Sequence, residues 1–294
     1  MAPFSNLDIL FILNTASGGK KKIDWESHIR DYFKALSFTI QFFILSGKDD
    51  AASILQFIKK TAPQKIVAVG GDGTVSLVAK QLLGSSIPLG ILPAGSANGM
   101  ATDLKIPEDP SLAIGIILNG RVQKCDVIKI NENDISIHLS DLGLNARIIK
   151  YFDKSAIHGK WVYAKIFIKV LLQRKLLKAH IKGDNLDVNI EAFMIVIANA
   201  REYGTGAVID PEGVIDDGKF ELVIVRKISF TEIFRLFISR THFNPKKIEI
   251  FQTTKAVITT KRKTDFQIDG EYKGKINKVS AEIIPSALNL MVTK

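Results

Sequence analysis

The first 126 residues alternate short apolar segments with longer segments in which apolar residues recur with a helical period. The short segments predict four buried strands: "DILFIL", "FTIQFFIL", "KIVAVG" and "PLGILP". Helices are predicted between them, from about Asp24 to Leu36, over "DAASILQFIKK" with Asp49 or Asp50 as the N-cap, and over "VSLVAKQLLG", closed by Gly84. Strands that alternate with helices imply a parallel sheet with both faces covered. We therefore expect an N-terminal α/β domain.

From about Val127 the pattern changes to several short strand-like segments with turn residues between them. These segments are "DVIKI", "DISIHLSDLGL", "LDVNIEAFMIVIAN", "KFELVIVRK", "KIEIFQTTKAVITTK", "TDFQIDG" and "KVSAEIIP". Such a series predicts an antiparallel β-sandwich or a distorted barrel. Two helical insertions, "WVYAKIFIKVLLQRKLLKA" and "SFTEIFRLFIS", interrupt it. For the first insertion, a helix packed on the domain is favoured over an interfacial membrane helix.

Two glycine-bearing turns follow strands of the predicted parallel sheet, "GGDGT" at residues 70–74 and "PAGSANGM" at residues 93–100. Ligands of such sheets bind outside the carboxyl ends of the strands. Glycine lets the backbone approach a ligand, and successive N–H groups form an anion-binding nest. Asp72 would repel a bare phosphate but is tolerated if Mg²⁺ lies between them. The alternative is a tight turn in which Thr74 caps the helix.

Taken together, "GGDGT" and "LPAGSANGMA" resemble the diacylglycerol kinase catalytic-domain family, which includes soluble bacterial lipid kinases and the eukaryotic sphingosine and ceramide kinases. "NTASGGKKK" is similar to the first motif of that family, usually Asn-Pro-x-Ser-Gly, with Thr15 in place of the proline. "IDPEGVIDDGKFELVIV" resembles the segment that carries the second acid, and "FQIDGEYKG" resembles the late Asp-Gly-Glu motif. The resemblance covers nearly the whole chain, with the motifs in the expected order.

The second glycine turn departs from the pattern of the family. Bacterial diacylglycerol kinases usually have Gly-Thr-x-Asn-Asp where this chain has Gly95-Ser96-Ala97-Asn98-Gly99. The serine is closer to the form found in sphingosine kinases, Gly-Ser-Gly-Asn. The resemblance therefore leaves the lipid acceptor open between glycerolipids and sphingoid lipids.

The resemblance implies an ATP-dependent lipid kinase that phosphorylates a hydroxyl of diacylglycerol or a related lipid, with ATP and Mg²⁺ as cofactors. It implies a Rossmann-like nucleotide domain of the NAD kinase and phosphofructokinase type over residues 1–126, to which residues 286–294 return. Residues 127–285 are then the β-sandwich domain for the lipid substrate. The expected fold class is accordingly α/β plus β.

The resemblance also implies roles for individual residues. Glu271 is expected to be the general base, and Asp72 and Asp217 are expected to organise Mg²⁺, with Asp216 as a further ligand or part of a second, structural metal site. Read alone, Asp216–Gly218 and Asp269–Glu271 are typical of hairpin turns. The residues expected to bind the nucleotide are Asn14, Ser17, Gly18, Gly70, Gly71, Asp72, Gly73, Thr74, Gly95, Ser96 and Asn98.

Two other functions are compatible with parts of the sequence. NAD kinases share the Gly-Gly-Asp-Gly turn and a similar two-domain plan, but the Leu-Gly-Phe stretch and the Asn-Glu pair that typically follow it are missing here. A nucleic-acid-binding protein would suit the positive net charge but needs a basic stripe or a recognised module. The basic runs, Lys20–Lys22 and Lys261–Lys263, are short and separate. We therefore expect no nucleic-acid partner.

The charge balance indicates an anionic partner. Lys+Arg number 40 and Asp+Glu 30, a net charge of +10 that suits phosphates or a membrane surface. The single cysteine, Cys125, excludes an intramolecular disulfide, and neither a signal peptide nor an apolar stretch long enough to span a bilayer is evident. We expect a cytoplasmic protein that makes peripheral contact with a membrane, and a homodimer is compatible with the sequence.

Overall fold

The structure of the protein is a computed structural model that describes residues 7–17, 23–96, 98–153, 176–200, 213–226 and 248–294. The chain divides into two compact units. Unit 1 comprises Met1–Cys125 and Ser286–Lys294, and unit 2 comprises Asp126–Pro285.

Unit 1 is built on a parallel sheet. Its elements in chain order are β1 (Leu7–Leu13), α1 (Trp25–Phe33), β2 (Phe38–Ile44), α2 (Asp50–Thr61), β3 (Lys65–Gly70), α3 (Asp72–Gln81), β4 (Leu89–Pro93), α4 (Gly99–Asp103) and α5 (Pro110–Asn119). The strands pair in parallel in the order β4–β3–β1–β2. On the other side of β4, Leu290 near the end of the chain pairs in parallel with Leu89.

The apolar runs of unit 1 form its core. Ile9–Leu13 of β1 are all buried, as expected for a strand covered on both faces. Phe11 lies between two other rings, 5.9 Å from Phe33 of α1 and 5.6 Å from Phe42 of β2 between centroids. The predicted strand and helix pattern of the first 126 residues is therefore present, although α4 and α5 were not anticipated from the sequence.

The caps of the helices in unit 1 differ in part from the prediction. Asp49 stands at the N-cap of α2, but its side chain makes no capping hydrogen bond. The carboxylate of Asp50 instead accepts from the backbone N–H groups of Ser46 and Gly47, at 2.9 and 2.8 Å, and so stabilises the preceding turn. Helix α3 ends at Gln81, and Gly84 lies just beyond it with a φ of +71°.

Unit 2 is built mainly on antiparallel strands. The remaining elements of the chain are β5 (Arg121–Ile130), β6 (Asp134–Ser136), β7 (Leu139–Gly143), α6 (Leu144–Asp153), β8 (Leu177–Gly183), β9 (Asp187–Ala192), β10 (Met194–Ala198), β11 (Phe220–Val225), β12 (Ile248–Thr253), β13 (Lys255–Ile268) and β14 (Glu271–Val292). Strands pair in the order β12–β11–β10–β7–β13–β14, while β8 pairs with β13 and β9, and β5 pairs with β14 and β6. A parallel sheet followed by an antiparallel one confirms the predicted fold class.

One predicted helix is wrong at its end. The segment "WVYAKIFIKVLLQRKLLKA" was expected to be helical as far as Ala179, but Leu177–Gly183 form β8 and pair with both β13 and β9. The alternating burial of β8, with Leu177, Ala179 and Ile181 inside, is the strand period of two residues. Residues 161–175 of that segment, and all of "SFTEIFRLFIS", lie outside the described residues.

Helix α6 is fixed to the sheet of unit 2 by one buried carboxylate. Asp265 on β13 accepts from Lys150 Nζ at 3.0 Å, from Arg147 Nε at 3.3 Å and from the Tyr272 hydroxyl at 2.7 Å. Burial alone would raise the pKa of Asp265, but the hydrogen bonds from Tyr272 and Lys150 and the positive charge of Lys150 hold this pKa below its usual value. The charged form of Asp265 therefore stabilises the fold.

We predict that Asp265→Asn lowers the free energy of unfolding by about 1–3 kcal/mol at neutral pH, because a buried charge-assisted network is lost. Since the folded-state pKa is depressed, the contribution of Asp265 is fully present above the unfolded pKa near 4 and is lost as the pH falls below it. Denaturant titrations across this pH range measure the effect. Asp187→Asn, which removes an exposed carboxylate of the same unit, is the control and is expected to change stability by less than about 0.5 kcal/mol. Equal losses in both variants would contradict the prediction.

Candidate functional site

Three loops at the carboxyl ends of β1, β3 and β4 meet in unit 1. The N–H of Asn14 donates to Val69 O at 2.9 Å, and the N–H of Ala94 donates to Gly70 O at 3.0 Å. Between these loops, the side-chain amide of Asn14 donates to Thr74 Oγ1 at 3.0 Å. The Ser17 hydroxyl lies 2.9 Å from the carbonyl oxygen of Asn14 and 3.3 Å from that of Ala94. The structure thus brings together the loops in which a nucleotide site was predicted.

The glycines of these loops are explained by close packing between backbones. None of Gly70, Gly71, Gly73 and Gly95 has a positive φ, so backbone strain is not the reason for glycine here. A Cβ atom on Gly95 would lie 2.4 Å from Gly71 Cα, and one on Gly70 would lie 2.3 Å from Thr74 Oγ1. A larger residue at position 95 would therefore force the loops after β3 and β4 apart, and one at position 70 would collide with the side chain of Thr74 in α3.

The carboxylate of Asp72 connects the same two loops. Its Oδ2 atom accepts from the N–H of Gly99 at 2.8 Å, and its Oδ1 atom accepts from the N–H of Met100 at 3.0 Å. Both donors belong to the first residues of α4, whose N–H groups have no acceptor within the helix. Asp72 therefore caps a helix that lies 27 residues further along the chain.

Two predicted nucleotide residues have structural contacts of their own. Asn98 accepts from the N–H of Gly95 at 2.7 Å and donates to Gly95 O at 3.0 Å, with a φ of +53° that asparagine tolerates better than most residues. Thr74 does not cap α3, as the alternative interpretation of the turn required, because Gly71 is at the N-cap and Thr74 is inside the first turn. Ser96 is exposed, while Gly18 lies outside the described residues.

The acids predicted near Gly218 lie in a turn of unit 2 that precedes β11. Asp216 and Asp217 are both exposed. Asp217 accepts from the N–H of Lys219 and from Gln252 Nε2, each at 3.0 Å. The N–H of Gly218 donates at 2.6 Å to the carboxylate of Asp126, which is only 1% exposed. Sequence reasoning missed Asp126, although an aspartate within the apolar segment "CDVI" is a signal that could have found it.

A metal site is not preformed in the part of the chain that the structure describes. Within those residues, no group of three or more His, Cys, Asp or Glu side chains is arranged to hold a metal ion. The metal-binding roles of Asp72, Asp216 and Asp217 therefore stay predictions from the sequence.

Glu271 is the first residue of β14, directly after the turn that joins it to β13. Asp269 and Gly270 form this two-residue turn with φ values of +45° and +87°, the combination for which Asp-Gly is favoured. The side chain of Glu271 is 54% exposed, and its Oε2 atom accepts from Lys273 Nζ at 3.0 Å. The turn thus presents the carboxylate of Glu271 at the surface of unit 2.

The same turn is attached to unit 2 by two buried side chains. The Asp269 carboxylate accepts from Ser136 Oγ at 2.8 Å and from the N–H groups of Ile137 and His138 at 2.9 and 3.0 Å. Burial raises the pKa of Asp269, although these hydrogen bonds oppose the shift. Gln267 accepts from the N–H of Gly270 at 2.7 Å and donates to the buried carboxylate of Asp141 at 2.6 Å. Sequence reasoning missed Gln267 and Asp141, two polar residues at buried strand positions.

Comparison with known proteins assigns both halves of the chain. Residues 8–130 match the diacylglycerol kinase catalytic domain, and residues 140–292 match the YegS C-terminal NAD kinase beta sandwich-like domain. The chain belongs to the family of the YegS C-terminal NAD kinase beta sandwich-like domain, whose model matches more than half of it, and its N-terminal part matches the diacylglycerol kinase catalytic domain. It is therefore a kinase, as the sequence predicted.

Several relatives match over most of their length. A protein of Yersinia enterocolitica named "Probable lipid kinase YegS-like" is 28% identical over 95% of each chain, and one of the same name from Klebsiella pneumoniae is 29% identical over 82% of each. A solved diacylglycerol kinase from Bacillus anthracis superimposes with a TM-score of 0.73, at 18% identity, over 98% of this chain and 97% of its own. At this identity the solved structure supports the fold alone. Within the described residues, no helix is long and apolar enough to cross a membrane.

We predict that Asp72→Asn lowers the free energy of unfolding of unit 1 by about 1–2 kcal/mol, because asparagine has a single oxygen with which to accept from Gly99 and Met100. We also expect kinase turnover to collapse if the charge of Asp72 serves the site. Thermal or denaturant unfolding and a kinase assay on the same preparation measure the two effects.

Asp50→Asn is the matched control, because Asp50 also accepts from two backbone N–H groups in unit 1. A similar loss of stability with full activity is expected for this variant. Full activity of Asp72→Asn at saturating Mg²⁺ would show that the charge has no catalytic role.

Proposed function

We propose that the protein is an ATP-dependent lipid kinase that phosphorylates a hydroxyl of diacylglycerol or a related lipid. The observation that carries the proposal is the meeting of the loops after β1, β3 and β4 at the carboxyl ends of parallel strands, within the residues that match the diacylglycerol kinase catalytic domain. The full-length relatives named as probable lipid kinases support the lipid acceptor.

The loops offer suitable groups for the phosphates of ATP. The N–H groups of Asp72 and Gly73, at the start of α3, have no acceptor within the helix by its geometry, and a helix N-terminus favours negative charge. Asn14, Ser17 and Thr74 lie beside them in the network already described. We assign nucleotide binding to these residues together with Gly18, Gly70, Gly71, Gly95, Ser96 and Asn98.

The carboxylate of Asp72 is suited to a magnesium ion. Mg²⁺ is usually held by one or two carboxylates together with phosphate oxygens and water. Asp72 is half-buried, and each of its oxygens accepts one backbone N–H, so each keeps acceptor capacity. When bound, the ion would offset the negative charge of the phosphates during transfer. Asp217 and Asp216, with exposed carboxylates, are the other candidate ligands.

Glu271 is the candidate general base. An alcohol is a poor nucleophile near neutral pH, so a positioned carboxylate that accepts its proton accelerates the transfer. The exposure of Glu271 leaves its carboxylate accessible to a substrate, while the buried bonds of Asp269 and Gln267 fix the turn that carries it. Cytoplasmic location, contact with a membrane surface and homodimer formation stay predictions from the sequence.

A panel of acceptors tests the proposed function. Purified protein is incubated with labelled ATP and Mg²⁺ in the presence of diacylglycerol, sphingosine, ceramide or NAD, and the acceptor that gains label is identified. We expect label in a lipid and its loss when Mg²⁺ is chelated. Label in NAD alone would favour the NAD kinase alternative.

We predict that Glu271→Gln lowers kcat by about 10² to 10⁴, the usual contribution of a positioned base. Glutamine keeps the shape of glutamate but cannot accept the proton, so the affinity for ATP should change little. Steady-state kinetics and ATP-binding titrations on the variant and the parent measure both quantities.

Glu191→Gln is the matched control, because Glu191 is also an exposed carboxylate of unit 2 that pairs with a lysine. We expect it to retain the parent kcat. If kcat of Glu271→Gln falls less than about threefold, well short of the range for a lost base, Glu271 is structural.

A further inference from the structure

Unit 2 carries a basic surface that the proposed chemistry does not use. Strands β5, β14, β13 and β8 are neighbours in that order. A shallow depression of about 380 Å³ on them is lined by Lys129 of β5, Lys182 of β8 and Lys255 of β13, together with Val257, Ser280 and Glu282. Lys278 of β14 is exposed and pairs with Thr259 of β13, two residues from Val257 along the strand.

Beside this depression, strand β13 bulges. Thr259 pairs with Lys278 and Thr264 pairs with Ile276, so residues 260–263 of β13 stand opposite Asn277 alone. The hydroxyls of Thr260 and Thr264 both donate to Arg262 O, at 2.9 and 3.0 Å. The bulge is therefore held by its own hydrogen bonds, and bulges of this kind redirect side chains out of a sheet.

The bulge presents three consecutive cations to solvent, Lys261, Arg262 and Lys263. We call these residues, together with Lys129, Lys182, Lys255 and Lys278, the basic face. Within the described part of the chain, no carboxylate forms an ion pair with any of them. Glu282, across from Lys255 on the neighbouring strand, is the acid that lines the depression. Asp187 also stands opposite Lys182 across β9 and β8, and Lys255 acts electrostatically on Asp184, but these acids are fewer than the cations of the basic face.

We propose that the basic face docks the protein on an anionic membrane surface. This inference rests on the proposed function, because a diacylglycerol acceptor resides in a bilayer and the enzyme must reach it there. Basic side chains spread over four neighbouring strands suit a surface that carries many anionic headgroups, whereas sequence-tolerant nucleic-acid binding normally needs aromatic side chains among the basic ones. Each basic side chain close to an anionic membrane contributes roughly a fivefold gain in binding.

Vesicle sedimentation tests the docking. Binding is measured on vesicles of phosphatidylcholine alone and on vesicles that contain about 30% phosphatidylglycerol, whose negative surface potential attracts basic side chains. The variants are the triple changes K261Q/R262Q/K263Q and K129Q/K182Q/K255Q. The control is K48Q/K59Q/K60Q, which removes the same charge from exposed lysines of unit 1.

We expect each triple change in the basic face to lower the partition coefficient on anionic vesicles about 100-fold, and the control to lower it less than about threefold. Binding of the parent should be weak on neutral vesicles and should fall at high salt, where surface charges are screened. Equal losses in all three variants, or equal binding of the parent to both kinds of vesicle, would overturn the proposal. The proposal would also be overturned if the two basic-face variants lost binding to a short oligonucleotide while their binding to vesicles stayed unchanged. The basic face would then bind nucleic acid.

Measurements of vesicle binding and of phosphate transfer on the parent protein distinguish failure of this inference from failure of the proposed function. If it binds anionic vesicles but transfers phosphate to no lipid, the lipid kinase proposal fails and the docking proposal is kept. If it phosphorylates diacylglycerol in uncharged detergent micelles but does not bind anionic vesicles, the docking proposal fails and the kinase proposal is kept.

Discussion

The candidate nucleotide site depends on one close contact, the approach of the Gly71 and Gly95 backbones. A Cβ atom on Gly95 would lie 2.4 Å from Gly71 Cα, a distance that no side chain can occupy. Because the two loops touch here, the carboxylate of Asp72 reaches the N–H groups of Gly99 and Met100 and caps α4. Close packing therefore accounts for Gly70 and Gly71 of the "GGDGT" turn whether or not it binds phosphate.

The sequence predicted the α/β part of the fold well because its signals are local. Buried parallel strands are continuous apolar runs, and Ile9–Leu13 and Ile66–Gly70 could be recognised without knowledge of their neighbours. Strand β8 was missed because "LLKA" continues the apolar pattern of the segment before it, although Leu177, Ala179 and Ile181 also alternate with polar residues as in a strand. Its pairing with β13 and β9 decides its conformation. Where the apolar residues of a short segment are compatible with both the helical and the strand period, its tertiary pairing decides the conformation.

How well each residue of the candidate site could be predicted also depends on how local its signal is in the sequence. Asp72, Asn98 and Glu271 belong to motifs that are contiguous in the sequence. Asp126 and Asp141 each stand alone in an apolar strand. Asn145 and Ala146 donate to Asp141 from nearby, but Gly218 and Gln267 donate to Asp126 and Asp141 from far along the chain. A buried carboxylate must be hydrogen-bonded, so a lone aspartate in a core strand predicts a partner but not its identity. Only the structure could identify that partner.

The acids of unit 2 show why a perturbed pKa does not by itself identify the base. Burial raises the pKa of Asp269, a property that often marks functional carboxylates. However, Asp269 accepts from Ser136, Ile137 and His138 and is only 4% exposed, so a substrate hydroxyl could approach it only if that segment moved away. A base must first lie within hydrogen-bond reach of the proton it accepts. Glu271, two residues further along, is exposed and accessible to a substrate, and Asp269 holds the turn that presents it.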